Sequence, residues 1–183
     1  MAKYDMMMVL EWANVFAENA DYGDETAPPK SAAGSIFRKG GQTVVNAYFT
    51  SEEDRDKLIE AGLDLKPMGY DRIVKGNEDF GIGEYIKLKR DVADNVRTFK
   101  DKKGNPVEIN FGGLPRVVNR TTPESKGEWD YSTDGPLGNG TKAIVRFDMY
   151  SDGAGVRLEA IAVKELVEYE PQSKSEYADV WED

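Results

Sequence analysis

The chain has 183 residues, a length typical of one domain, with 39% hydrophobic and 32% charged residues. It contains no cysteine and no histidine. Their absence excludes disulfides, iron–sulfur clusters, zinc sites built on these residues, and catalytic triads or dyads that depend on histidine. Any chemistry must therefore use carboxylates, Lys, Tyr, Ser or a hard cation held by carboxylates. We expect neither a metal nor a cofactor.

No run of about 18 apolar residues is present, so the sequence predicts no transmembrane helix and no membrane partner. A short apolar patch at residues 6–10 follows one lysine and one aspartate. No small-residue cleavage site follows this patch, so we expect no signal peptide. These features favour a cytoplasmic protein.

The net charge of −10 is unevenly distributed along the chain. Residues 86–126 carry ten basic and five acidic side chains, whereas residues 165–183 carry seven acidic side chains and one basic. Such asymmetry is typical of a nucleic-acid surface next to an acidic tail. Charged residues that only solvate the two segments would give the same count.

In chain order, the first half predicts two strands separated by a loop. Residues 6–16 alternate with period 2, which is typical of a half-buried strand; the apolar row contains Met6, Met8, Leu10, Trp12 and Phe16. Residues 19–35 are rich in Asp, Gly, Ala, Pro and Ser and predict a mobile loop. Residues 42–50 are rich in β-branched and aromatic side chains and predict a strand.

One short helix follows the second strand. Thr50 or Ser51 can serve as its N-cap, and three acidic residues occupy the first turn, where the helix dipole favours them. Ser51 and Asp54 approximate a capping box. Gly62 marks the end, so the helix should have about three turns.

The second half predicts strands alone. Residues 84–92 alternate, with Ile86, Leu88 and Arg90 on one face. Residues 96–111 predict a hairpin with its turn at 101–105. Residues 141–150 predict a strand whose odd-numbered apolar residues face inward, and 156–167 predict a last strand with a bulge near 160–162.

This pattern predicts an all-β protein with one short helix. The leading architecture is an OB-fold-like Greek-key β-barrel with long hairpin elaborations. We expect residues 1–170 to form this domain and residues 171–183 to form a flexible acidic tail.

Cations and aromatic residues are interleaved on the predicted strands, as a binder of single-stranded nucleic acid requires. The candidate binding residues are Tyr85, Lys87, Lys89, Arg97, Phe99, Lys100, Lys102, Lys103, Arg116, Lys142, Arg146 and Tyr150. Trp129 or Tyr131 would be alternative stacking platforms. The same alternation also occurs on the solvated face of an ordinary antiparallel sheet.

The tail combines negative charge with two bulky aromatic residues, which suits docking to a partner or to the protein's own basic groove. The candidate docking residues are Tyr177, Asp179, Trp181, Glu182 and Asp183. A disordered end with an incidental tryptophan is the alternative.

Enzymatic motifs are sparse. The carboxylate pairs Asp91/Asp94 and Asp148/Asp152 could hold Mg²⁺, but such pairs are frequent in acidic proteins. The glycine clusters at 81–83, 112–113 and 135–140 match neither the P-loop nor the dinucleotide-binding fingerprint.

Several segments together resemble the single-stranded DNA-binding proteins of tailed phages. The matching pieces are the strand and hairpin at 84–111, GGLPRVV at 112–118, the glycine-led strands at 138–171, and the closing EYADVWED. The resemblance covers the C-terminal 100 residues well and the first 80 in outline.

The resemblance implies non-catalytic, sequence-tolerant binding of single-stranded DNA in phage replication and recombination, in the host cytoplasm. It also implies a tail that competes with DNA and contacts the phage DNA polymerase and the helicase or primase. A homodimer is left open. The alternatives are a Mg²⁺-dependent nuclease that uses carboxylates, and an adaptor whose barrel binds a peptide.

Overall fold

A computed structural model describes residues 2–22, 41–125 and 127–169. In these stretches strands predominate, which confirms the all-β prediction. The strands are β1 (Ala2–Asn14), β2 (Gln42–Phe49), β3 (Ile73–Lys75), β4 (Glu84–Asp91), β5 (Val96–Lys100), β6 (Pro106–Asn110), β7 (Arg116–Asn119), β8 (Thr141–Tyr150) and β9 (Gly155–Glu165). The α-helices are α1 (Glu52–Glu60) and the one-turn α2 (Tyr131–Asp134). Neither helix is long or apolar enough to span a membrane.

Seven strands form one mixed sheet in the order β3-β4-β2-β1-β8-β9-β7. Strands β1, β2 and β4 make an antiparallel meander, and β8 returns through a long connection to pair with β1. That spatial order, fourth strand beside the first, is a Greek key. Strand β9 then pairs antiparallel with β8, and β7 pairs parallel with β9. Strands β5 and β6 form a separate two-stranded ribbon, the long hairpin predicted from the sequence.

The guanidinium of Arg90 joins the two ends of the five-strand segment β4-β2-β1-β8-β9. It donates from Nη1 to the carbonyl of Leu158 on β9 (3.2 Å), and from Nε and Nη2 to the carbonyls of Gly113 and Gly112 (both 2.7 Å). Burial lowers the pKa of Arg90, but a guanidinium stays charged at neutral pH. The sheet therefore curls into a barrel, as the OB-fold-like Greek-key prediction requires.

The core lies inside this barrel and follows the predicted alternation. Fully buried side chains come from every strand of the closed segment; they include Met8, Leu10, Val45, Ala47, Phe49, Ile86, Leu88, Val145, Phe147, Leu158 and Ile161. Helix α1 closes one end through Leu58, whose burial stabilises the fold by about 2 kcal/mol.

The capping signals of α1 are confirmed. Ser51 is the N-cap, and its Oγ accepts the backbone N–H of Asp54 at 3.1 Å. Glu52, Glu53 and Asp54 fill the first turn, where the exposed N–H groups favour negative charge.

The structure corrects the interpretation of β1 at Trp12. The cross-strand register jumps from Glu11↔Asn46 to Asn14↔Val44, which is a β-bulge. Trp12 adopts φ +50° and is 51% exposed, so its assignment to the buried row was wrong. A bulge adds a residue to one strand and so reverses the alternation beyond it.

Other differences are smaller. Strand β9 has two register shifts: one at Glu159, next to the predicted 160–162, and a second at Lys164, between Lys142↔Glu165 and Ala143↔Val163, which was not predicted. The short elements β3, β7 and α2 were not predicted, because three or four residues carry too little periodicity. Most of the predicted 19–35 loop lies outside the described residues.

Replacing Arg90 by Met should lower the free energy of unfolding by about 2–4 kcal/mol, because three buried or half-buried carbonyls lose a charged donor. Urea unfolding followed by circular dichroism measures this. Lys87→Met on the same strand is the matched control; Lys87 points outward, and its loss should change stability by less than about 0.5 kcal/mol. Equal midpoints for the two variants would contradict the role given to Arg90.

Candidate nucleic-acid interface

The predicted cations and aromatic residues fall on three separate surfaces. The first is the outer face of β2 and β4, which we call the β2–β4 face. Tyr85, Lys87 and Lys89 project from β4 onto it, because the intervening Ile86 and Leu88 point into the core. The ammonium of Lys87 has no hydrogen-bond or ion-pair partner within the described part of the chain.

An ordered aromatic floor underlies this face. Tyr48 on β2 is fully buried, and its ring packs against Tyr85 (centroids 5.0 Å apart) and edge-on against Phe80 (5.4 Å). The Tyr48 hydroxyl donates to Glu11 Oε1 and accepts the N–H of Asn77, both at 3.0 Å. Burial raises the pKa of Tyr48. These contacts fix the rings, and Tyr85 remains half-buried, with surface left for a ligand.

Trp12 stands beside the same face. Its chain neighbour Glu11 lies in one cross-strand row with Asn46 and Lys87. The bulge turns the indole outward, and the backbone N–H of Trp12 is held by Asn139 Oδ1 at 2.8 Å. A bulky residue at positive φ is strained, and such strain is found preferentially at functional sites. No sequence pattern predicts the outward direction of Trp12, because a β-bulge has no characteristic sequence motif.

Lys142 extends the face across the sheet. Lys142 on β8 lies opposite Val9, which lies opposite Tyr48, which lies opposite Tyr85. The four residues therefore form one row over four strands. The Lys142 ammonium is 3.7 Å from Glu165, an exposed and weak pairing.

The second surface is a groove of about 240 Å³ on β7, β8 and β9, lined in part by Arg116, Arg120 and Arg146. Arg146 and Arg116 are paired with carboxylates, and Arg120 donates to the backbone carbonyl of Asn119 at 2.8 Å. Arg146 binds both oxygens of Asp5 (2.8 and 2.9 Å), and Arg116 binds Glu128 (2.7 Å). The hydrogen bonds from Arg146 lower the pKa of Asp5. A phosphate would have to displace these carboxylates.

The third surface is the ribbon, which carries Arg97, Phe99, Lys100, Lys102 and Lys103. It is joined to the barrel through the buried Phe111. That ring packs against Phe99 (5.4 Å) and Tyr150 (4.9 Å), and the Arg97 guanidinium lies over it at 5.0 Å. The structure thus brings Phe99 and Tyr150 together on either side of Phe111; Phe99 belongs to the ribbon, whereas Tyr150 ends β8 in the same sheet as Lys87.

The alternative platforms are less exposed. Trp129 is buried, and its Nε1 donates to the carbonyl of Gly135 at 2.8 Å, so its ring is not available for stacking. Tyr131 packs against Phe16, with centroids 5.2 Å apart. The predicted tail residues Tyr177, Asp179, Trp181, Glu182 and Asp183 lie outside the described residues.

Three of the four predicted carboxylates, Asp91, Asp94 and Asp148, are bound to protein donors. Asp148 is fully buried and bonded to Arg157, and burial raises its pKa. Asp91 and Asp94 accept hydrogen bonds from the amides of Asn95 and Asn110, each at 3.0 Å. Within residues 2–22, 41–125 and 127–169, no cluster of three or more acidic side chains is arranged to hold a metal ion.

No protein-family model matches the chain, and no curated protein matches its sequence. Among solved structures, the chain is similar to the single-stranded DNA-binding protein from bacteriophage Enc34, with 11% sequence identity and a TM-score of 0.45. The similarity covers 98% of this chain and 89% of that one.

Proposed function

We propose that this protein binds single-stranded DNA without catalysis and with little sequence preference, through the β2–β4 face and Trp12. The observation that carries the proposal is the placement of one exposed ring, one half-buried ring and exposed lysines on one outward surface. Trp12 and Tyr85 supply flat rings for bases, and Lys87, Lys89 and Lys142 supply charge for phosphates. Stacking rings beside a cationic track are what such binding requires.

The net charge of −10 limits the expected affinity for DNA. A protein that is acidic overall repels DNA at long range, and only the local cations attract it. Binding should therefore be modest and strongly salt-dependent, because each phosphate contact releases a counterion.

The finer role follows from the sequence. We place the protein in phage DNA replication and recombination in the host cytoplasm, with residues 1–170 as the binding domain. Residues 171–183 would act as an acidic tail that contacts the phage polymerase and helicase or primase. The segment from 172 to 183 has a net charge of −3 and carries Tyr177 and Trp181, so it imitates a single strand in combining negative charge with flat side chains.

The double variant Lys87→Ala, Lys89→Ala should bind labelled oligo-dT more weakly. It should also lower the slope of log affinity against log salt by about 0.7 for each lost phosphate contact. Fluorescence anisotropy between low and moderate salt gives both quantities. The control is Lys57→Ala, Lys66→Ala, which removes the same charge from exposed positions on another surface. A wild-type slope in the first variant would rule out this face.

Trp12→Ala should weaken oligo-dT binding by about 1–3 kcal/mol, the range for one base stacked on an aromatic ring. The salt slope should stay unchanged, because no cation is lost. Trp12→Phe keeps a ring and should retain most of the affinity, and Tyr85→Ala tests the second ring. Unchanged affinity in both alanine variants, with circular dichroism showing folded protein, would place stacking elsewhere.

A chain that ends at Pro171 should bind oligo-dT more tightly than the full chain, because the acidic tail no longer competes for the lysines. The gain should be largest at low salt, where screening is weakest. The same truncation should abolish capture of the replication partner, since Trp181 is the strong apolar anchor of the tail. Equal or weaker binding by the truncated chain at low salt would rule out competition between the tail and DNA, and only the partner-docking role of the tail would remain.

A further inference from the structure

A cavity of about 700 Å³ separates the ribbon from the end of β8, a volume within the range of small-molecule sites. Phe99, Val107 and Ile109 line it from the ribbon, and Met149 and Tyr150 line it from the barrel. Phe99 lies directly opposite Val107 in the ribbon register. Val107 is 40% exposed, although it belongs to an apolar wall. The wall thus offers flat and apolar surface that no part of the described chain covers.

The polar groups at the rim are mainly acceptors. Asp152 and Ser151 come from the turn after β8, and Asp101 and Lys100 come from the ribbon. Asp101 uses one oxygen to accept the N–H groups of Lys103 and Asn105. The Asp152 carboxylate has no hydrogen-bond or ion-pair partner in the described residues. A ligand that fits this rim presents hydrogen-bond donors and an anionic group near Lys100.

The turn that carries Asp152 is held in a strained conformation. Ser151, Asp152 and Gly153 have φ values of +51°, +54° and +92°, a region that residues other than glycine rarely adopt. The backbone of Gly153 packs against Gly62 so closely that an added Cβ would lie 1.8 Å from the Gly62 carbonyl oxygen. The N–H of Asp64 also donates to the Gly153 carbonyl at 2.9 Å. These contacts hold the backbone of the turn in place at the rim of the cavity.

We propose that this cavity holds one base of the bound strand and prefers a base with an exocyclic amino group, such as cytosine. This inference rests on the proposed function and adds a preference at one base position to the otherwise sequence-tolerant binding by the β2–β4 face. The aromatic wall contacts the face of the base, the Asp152 carboxylate accepts from the amino group, and Lys100 neutralises the adjoining phosphate. Aspartate is a good acceptor for the cytosine amino group. Thymine presents carbonyl oxygens on both sides of its one N–H donor, so a carboxylate would face an oxygen.

The test compares oligo-dC and oligo-dT of equal length by anisotropy at pH 8 and matched salt. The wild-type protein should bind oligo-dC about tenfold more tightly, the effect of one hydrogen bond to a charged group. Asp152→Gly removes the acceptor and relieves the positive φ, so it should fold and should bind the two oligonucleotides equally. Asp71→Gly is the control; it removes the same charge from an exposed loop and should keep the preference. Val107→Trp fills the cavity and should also abolish the preference.

The outcomes distinguish a failure of the proposed base pocket from a failure of DNA binding by the β2–β4 face. If oligo-dT binds with the expected salt slope and oligo-dC binds equally well, the base pocket is wrong and the proposed function stands. A preference for oligo-dC that persists in both Asp152→Gly and Val107→Trp also overturns the pocket. If neither oligonucleotide binds, the proposed function fails and the pocket fails with it.

Discussion

The bonds of Arg90 to three backbone carbonyls determine the geometry of both candidate surfaces. They join the end of β4 to β9 and to the glycine pair that follows the ribbon. Arg90 lies in the same inward row of β4 as Ile86 and Leu88, so its bonds hold the end of that strand with Lys87 and Lys89 on the outer side. Because it also binds Gly112 and Gly113, it fixes where the ribbon returns to the barrel.

A second buried group ties the ribbon down. Arg157 is 7% exposed, bonds to Asp148 and to the carbonyl of Asn110, and stacks over Phe111 at 4.8 Å. Burying an ion pair costs desolvation that the attraction need not exceed, and burial raises the pKa of Asp148 accordingly. Burial would raise the pKa of Glu159, but the hydrogen bond from the Lys3 ammonium helps to lower it below its ordinary value. The cluster therefore specifies the ribbon's position more than it adds stability.

The sequence predicted those features of the fold that depend on residues close together in the chain. The alternation around Ile86 and Leu88 and the Ser51 cap were read correctly, because side-chain period and helix capping depend on neighbours in the sequence. The direction of Trp12 depends on a bulge set by pairing with β2, and no neighbour of Trp12 encodes it. The separation of Phe99 from Lys87 likewise depends on the ribbon leaving the main sheet, a tertiary event. Alternation placed each residue on a face but could not say which faces meet.

The basic residues also differ in whether they are available to a phosphate. A count of basic residues in the sequence does not show this difference. Arg146 and Arg116 are held by carboxylates on neighbouring segments, and Arg90 is used by backbone carbonyls. A guanidinium suits such bidentate and multiple bonding, whereas an ammonium on a flexible stem acts as a point charge toward a moving phosphate. Arg90, Arg116 and Arg146 are consequently structural, whereas the exposed Lys87 on β4 presents its charge to solvent and Lys142 on β8 is paired only weakly, 3.7 Å from Glu165. An acidic protein can thus present a cationic surface. The partners of each basic side chain, rather than the net charge of the protein, determine which charges a DNA strand contacts.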